Sequence, residues 1–274
     1  MGSSPLALIM YGGGMRGAYG AGVIDALAQM GVLSQCTVLC GTSAGAANLA
    51  AVVAGIQSSI KDIWTIALPQ GKFIKLLRPR WMTDIDYLVD IAVAYHLTND
   101  RVRASATRLF ISVTHYMTGA THYFTNHHDI LETLRATLSI PVLSRIPVSV
   151  QGEPFLDGGI STTPNDLIQK AFSNGATKAL VVDISSPLGW LQKIGLLTFM
   201  RRRPRGLREA VTRICSEAFP HPIAATDRVY LIRPRETMVT RLNYTAERLA
   251  DTYQRGKRDT EENAQLKQFL GMTA

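Results

Sequence analysis

The chain predicts an α/β protein, a three-layer α/β/α arrangement around a mostly parallel central sheet. Three observations carry the prediction. The first 55 residues read strand, helix, strand, turn, helix, and that order needs crossover connections between parallel strands. Further down, Lys178–Asp183 reads as a strong central strand with an apolar interior, as expected where helices cover both faces of a sheet. An apolar share of 46% beside a charged share of 18% belongs to a chain that buries a core, which excludes disordered and fibrous classes.

Leu6–Met10 is a short apolar run that ends in glycines, a buried strand. Gly12–Gly17 is a turn, and a helical pattern follows from Ala18 to Met30 with Gly31 as its stop. Thr37–Cys40 reads as a second strand. Gly41–Gly45 then turns sharply into an alanine-rich helix that ends near Gly55. Residues 60–105 read as mostly helical and irregular. Phe110–His115 and Thr121–Thr125 flank Met117–Ala120 as a hairpin. Asp129–Leu138 is helical. Pro147–Val150 and Pro154–Leu156 enclose a second hairpin turn at Gln151–Glu153. Pro164 opens a helix through Phe172. Val229–Ile232 is a further strand, and Tyr244–Phe269 a long polar helical region. Neither a linker nor an internal repeat interrupts the chain. The reading is one domain over residues 1–274, with a basic, helical C-terminal part over 186–274.

No run of about 18 apolar residues occurs, so a spanning helix is not expected. Met1-Gly-Ser-Ser-Pro lacks the basic start of a secretory signal, and Leu6 breaks the myristoylation pattern. The expected setting is therefore cytoplasmic, with peripheral membrane association at most. Cys36, Cys40 and Cys215 read as reduced, buried thiols, and no second cysteine pair supports a metal site at Cys36 and Cys40.

Lys and Arg outnumber Asp and Glu by 29 to 21, and the excess is clustered. Arg201, Arg202, Arg203, Arg205 and Arg208 follow the apolar stretch Trp190–Met200, and Lys72–Trp81 is a second mixed segment. Basic residues beside aromatic and apolar ones suit an anionic lipid surface, and an ordinary solvated face suits them as well. Nucleic acid is not an expected partner, because zinc-finger spacing and RNP-type aromatic motifs are both missing.

Three elements carry chemistry. In Gly12-Gly-Gly-Met-Arg-Gly17, bare backbone N–H groups converge between a strand and a helix N-terminus, where a phosphate or a transient oxyanion is favoured. Gly12, Gly14 and Gly17 also match the dinucleotide spacing, but the region after the second strand lacks the acidic residue that reading requires. Gly41-Thr-Ser-Ala-Gly45 has the form of a nucleophile elbow that presents Ser43. Leu156-Asp-Gly-Gly-Ile160 sets Asp157 at a strand end before glycines, where partial burial would suit it as a base. A serine needs a base, and histidine is the usual one. His221 alone follows Asp157, in a Pro-flanked loop with no supporting motif. His115 and His122 would face each other across the first hairpin and read as packing or as polar surface side chains. His127 and His128 are adjacent and would not converge on one ion.

In this order the three elements resemble the patatin-like phospholipases. That family combines a glycine-rich oxyanion loop, a G-x-S-x-G elbow and a D-G-[GA] motif, with a Ser-Asp dyad and no histidine. The match runs over roughly residues 5–185. The resemblance implies Ser43 as nucleophile and Asp157 as base. The backbone N–H groups of Gly13 and Gly14, joined by Gly12 and Ala44, would hold the oxyanion. Arg16 would brace the loop or meet a lipid phosphate, Gly17 belongs with the same oxyanion and substrate-binding set, and Gly41, Gly45, Gly158 and Gly159 are motif glycines. It implies a serine acyl hydrolase of phospholipids, lysophospholipids or related lipids, with no cofactor and no metal. The alternatives are a catalytically silent lipid-binding module on the same fold and a dinucleotide-dependent oxidoreductase.

Overall fold

A computed structural model describes residues 5–70, 84–141, 147–187, 189–217, 221–234 and 245–272. The chain begins with β1 (Leu6–Tyr11), a 3-10 turn (Gly14–Arg16), α1 (Gly17–Gln29), β2 (Cys36–Gly41) and α2 (Ser43–Val53). A helical run follows as α3 (Ile60–Asp62), a π-helical stretch (Ile63–Ala67) and α4 (Leu68–Gln70), then α5 (Ile85–Ala94) and α6 (Asn99–Ala104). Next come β3 (Arg108–His115), β4 (Thr121–Thr125), α7 (Ile130–Thr137), β5 (Val148–Val150) and β6 (Glu153–Asp157). The chain continues through α8 (Pro164–Ser173), β7 (Lys178–Asp183), α9 (Trp190–Met200) and α10 (Arg205–Ser216). It closes with β8 (Val229–Ile232), α11 (Ala246–Glu261) and α12 (Ala264–Phe269).

The sheet order is β5-β6-β3-β2-β1-β7-β8, with β4 paired to β3. Strands β3, β2, β1, β7 and β8 run parallel. The antiparallel pairs gather at the other end, in β4, β5 and β6. All six residues of β1 are buried because both faces are covered. Leu8 and Met10 point into the cluster made with α1, α2 and α11. Ala7, Ile9 and Tyr11 point the other way, onto Leu167, Ile168 and Ala171 of α8. The two-residue period of one strand thus feeds two helical layers, which is the expected three-layer α/β/α fold.

The expected stops are in place: Gly31 and Gly55 take φ of +71° and +70° after their helices. The turn of the second hairpin, Gln151 and Gly152, has both φ values positive. Cys36 and Cys40 are buried, and burial pushes both thiols up to about 12. Two features differ from the expected elements. The long C-terminal helical region is two helices, because Asn263 caps α12 by accepting the Leu266 N–H. The stretch around the arginine cluster, read only as part of a basic, helical C-terminal region, divides into two helices, α9 and α10. The basic segment Lys72–Trp81 lies outside the described residues.

The C-terminal part is joined to the first layer by close helix contact. A Cβ on Gly22 would lie 2.0 Å from the Tyr253 carbonyl oxygen, and one on Gly256 would lie 2.0 Å from that of Tyr19. Helices α1 and α11 therefore touch backbone to backbone. Tyr19 donates to Asp259 (2.8 Å), Tyr253 donates to Asp25 (2.7 Å), and Lys257 Nζ lies 2.9 Å from Asp25. Burial pushes the Asp25 carboxyl up, but the hydrogen bonds from Tyr253 and Lys257 outweigh it and hold the group below its ordinary value.

Gly256→Leu should drive the helices apart and lower stability by about 1–3 kcal/mol or more, seen as a lower urea midpoint. Asp25→Asn should cost about 0.5–1 kcal/mol at neutral pH. The depressed carboxyl stabilises fully above its unfolded pKa of about 4 and loses that contribution as the pH falls through the folded value. The gap between wild type and Asp25→Asn should therefore shrink in denaturation measured near pH 3.

Candidate active site

Strand β2 ends at Gly41, and the chain reverses into α2 through Ser43, whose φ is +53°. A side chain in this left-handed region is strained, and the surroundings enforce it. The Thr42 N–H donates to the Met10 carbonyl (3.2 Å). A Cβ on Gly45 would lie 2.3 Å from the same oxygen, so the helix start can approach β1 this closely only with glycine there. The Ser43 N–H donates to Thr137 Oγ1 (2.9 Å). Because α2 starts at Ser43, the Ala44 N–H has no carbonyl four residues back inside the helix.

The glycine loop lies directly against this bend. A Cβ on Gly12 would stand 2.6 Å from Ser43 Cβ and 3.3 Å from its Oγ. A Cβ on Gly13 would meet the Ile184 carbonyl at 2.4 Å, and Gly14 has φ of +60°. Gly17 opens α1 against the Trp64 ring, with no room for a side chain. Arg16 donates to the Ser185 carbonyl (3.2 Å), which ties the loop to the chain leaving β7. Ser185 in turn donates to Asp183 Oδ1 (2.6 Å), and Arg233 holds Asp183 Oδ2 through Nε and Nη2 at 3.0 and 2.7 Å.

Asp157 reaches the same place through β3. Strand β4 occupies one edge of β3, so β2 and β6 share the other. Gly41 pairs with Ile111, and Asp157 pairs with Val113, two residues further along that edge. The end of α7 fastens both. Thr137 accepts from Ser43 N–H and donates to the Ser112 carbonyl (2.9 Å), while the Ser139 carbonyl accepts the Asp157 N–H (3.0 Å). Thr114 Oγ1 donates to the Asp157 carbonyl (2.8 Å), and Asp157 Oδ1 accepts the Gly159 N–H (2.7 Å). Gly158 is pressed on Ser112, where a Cβ would lie 2.2 Å from the carbonyl oxygen. Ser43 and Asp157 are both 6% exposed. Among the described residues, Thr42 Oγ1 and Ser112 Oγ are buried hydroxyls with no hydrogen-bond partner, and both flank this junction.

From Ser43 a cavity of about 100 Å³ runs between α2, the α3–α4 run, α5 and the end of α7. Its walls include Ala47, Ala51, Ile56, Trp64, Leu88 and Leu134. Asn48 also lines it, but its amide is engaged: it donates to the Gly17 carbonyl (2.9 Å) and accepts from Trp64 Nε1 (2.8 Å). The Ser43 hydroxyl therefore forms the polar end of an apolar slot.

Of the residues singled out in the sequence, Gly14, Ser43 and Ala44 line this cavity, Gly12 lies against the Ser43 side chain, and Asp157 is held by the same end of α7 that holds the Ser43 N–H. Thr137, Ser139, Asn48, Trp64 and the Asp183–Arg233 pair were not legible in advance, since each acts through a partner far away in the chain. His221 is less peripheral than its loop suggested, because its ring packs edge-on against Tyr11, 5.3 Å away. His115 and His122 do face each other, with ring centroids 5.6 Å apart, and both pack on Phe155. Among the described residues, no three His, Cys, Asp or Glu side chains group around a common point that would hold a metal ion.

The family model for patatin-like phospholipase matches residues 8–167, a span that contains the glycine loop, Ser43 and Asp157. The chain belongs to the patatin-like phospholipase family. It is 32% identical over 189 residues to the uncharacterized protein YjjU of Escherichia coli K12, covering 65% of this chain and 51% of the relative. It thus spans about half the length of that curated relative. The crystal structure of VipD from Legionella pneumophila shares the fold, with a TM-score of 0.55 at 13% identity over 98% of this chain and 67% of that one.

Thr137→Val should leave the Ser43 N–H buried without a partner and cost about 1–3 kcal/mol. Arg233→Met should leave the Asp183 carboxylate, 2% exposed, without its cation and cost about 3–5 kcal/mol. Urea denaturation at neutral pH checks both.

Proposed function

We propose that this patatin-like protein is a serine acyl hydrolase of lipid esters, working through a Ser43–Asp157 dyad. The observation that carries the reading is the strained Ser43 hydroxyl at the polar end of an otherwise apolar slot. An acyl chain would lie along Ala47, Ala51 and Trp64, with its ester carbonyl at Ser43. Asp157 would take the hydroxyl proton as Ser43 Oγ attacks the carbonyl carbon, and would return it to the departing alcohol. That leaves an acyl-Ser43 ester, which water cleaves with Asp157 again as the base.

Negative charge develops on the carbonyl oxygen in both steps. The N–H groups of Gly13 and Gly14, with those of Gly12 and Ala44, are the donors we assign to it, each typically worth on the order of 10²–10³ in rate. The contact of Gly12 with the Ser43 side chain favours this oxyanion role over a nucleotide cradle. Phospholipids and lysophospholipids are the substrate class that the family membership and the apolar slot support.

Ser43→Ala and Asp157→Asn should each abolish release of fatty acid from phospholipid and from a short p-nitrophenyl ester, with the fold retained by circular dichroism. A fluorophosphonate should label Ser43 and spare Ser43→Ala. Activity is expected to persist in a calcium chelator. Full turnover in either variant would remove the dyad from the mechanism.

A further inference from the structure

Helix α9 has two apolar faces, and one of them has no protein partner among the described residues. Leu196, Phe199 and Met200 turn inward onto Leu207 and Val211 of α10. Trp190, Ile194 and Leu197 fall at i, i+4 and i+7, a stripe about 60° wide at helical pitch. They are 70%, 53% and 38% exposed, far from the usual place for such side chains. An apolar stripe of this size on a surface helix marks an interaction site.

The charge beside the stripe says what covers it. The helix runs straight into Arg201, Arg202, Arg203, Arg205 and Arg208. Arg203 is turned inward, donating to Tyr116 (3.2 Å) and stacking on the Phe199 ring. Arg205 pairs with Glu209. Arg201, Arg202 and Arg208 are exposed and have no acidic partner among the described residues. A helix that exposes Trp, Ile and Leu along one side and unpaired arginines at its end is built for the boundary between acyl chains and anionic headgroups. Nucleic acid would account for the arginines but not for the apolar stripe in line with them.

We propose that the α9–α10 hairpin is an interfacial anchor that seats this protein on anionic membranes, with the α9 stripe in the acyl boundary and the free arginines on lipid phosphates. The hairpin is attached to the Asp157 turn. Leu156 and Ile160, which bracket that turn, pack with Met200 and Leu207, and Arg213 donates to the Ser161 carbonyl (2.9 Å). A chain held through α9 would therefore hold its Asp157 turn close to the same membrane.

Vesicle sedimentation tests this in the Ser43→Ala background, where no lipid is consumed, so the result does not depend on the hydrolase reading. The protein should pellet with vesicles of phosphatidylcholine plus phosphatidylglycerol, and weakly with phosphatidylcholine alone. Trp190→Ala/Ile194→Ala/Leu197→Ala should bind at least roughly tenfold more weakly at any salt concentration. Arg201→Gln/Arg202→Gln/Arg208→Gln should lose on the order of 10²-fold at low ionic strength and little at high. Both variants, in the wild-type Ser43 background, should hydrolyse a monomeric short ester as the parent does. Binding unchanged in either variant would overturn the proposal. So would a parent protein that ignores anionic vesicles, or a stripe variant whose effect is to dissociate an oligomer seen by light scattering.

Discussion

The arrangement around Ser43 depends on the last turn of α7. Thr137 and Ser139 are two residues apart, and their hydrogen bonds reach the Ser43 N–H and the Asp157 N–H respectively. Backbone, not side chain, is what these two bonds hold. The shared edge of β3 gives the same result from the sheet side, since β2 leaves that edge where β6 joins it. Two residues 114 positions apart are thereby set by one helix end and one strand, neither of which belongs to a sequence motif.

Around this junction the molecule relies on glycine for closeness more than for turning. Gly12, Gly13, Gly45 and Gly158 each stand where a Cβ would strike backbone or the Ser43 side chain within 2.6 Å. The same device recurs outside the candidate site, where Gly22 and Gly256 let α1 and α11 meet. The C-terminal helix is beyond the region matched by the family model, yet it buries the same layer that supports the glycine loop. Asn48 joins these parts, bridging the start of α1 and the Trp64 wall from a position one turn into the elbow helix.

Much of the fold was legible in the sequence because its signals are local. Apolar runs marked β1 and the interior of β7, and glycines marked the ends of α1 and α2. The three motifs named Ser43, Asp157 and the loop because tight turns demand particular residues. What was not legible shares a physical cause. Thr137 meets Ser43, Arg233 meets Asp183 and Trp64 meets Asn48 through single hydrogen bonds or ion pairs, and a threonine, an arginine or a tryptophan has no local signature of its distant partner. The bounds of α9 and α10, within a region read only as helical, were hidden by their composition. An apolar segment followed by arginines lacks the single-stripe period of an ordinary surface helix, since α9 is apolar on two sides. The break at Asn263 was missed because the polar pattern runs through it, and only the cap shows where one helix gives way to the next.

The backward bend at Ser43 has a consequence for how this chain can change. An L-residue in that conformation sits roughly 1–2 kcal/mol above one in a relaxed helix, and glycine would not. Drift toward greater robustness therefore points away from serine at this position. A lineage that stopped needing the hydroxyl would be expected to gain stability by giving it up for glycine.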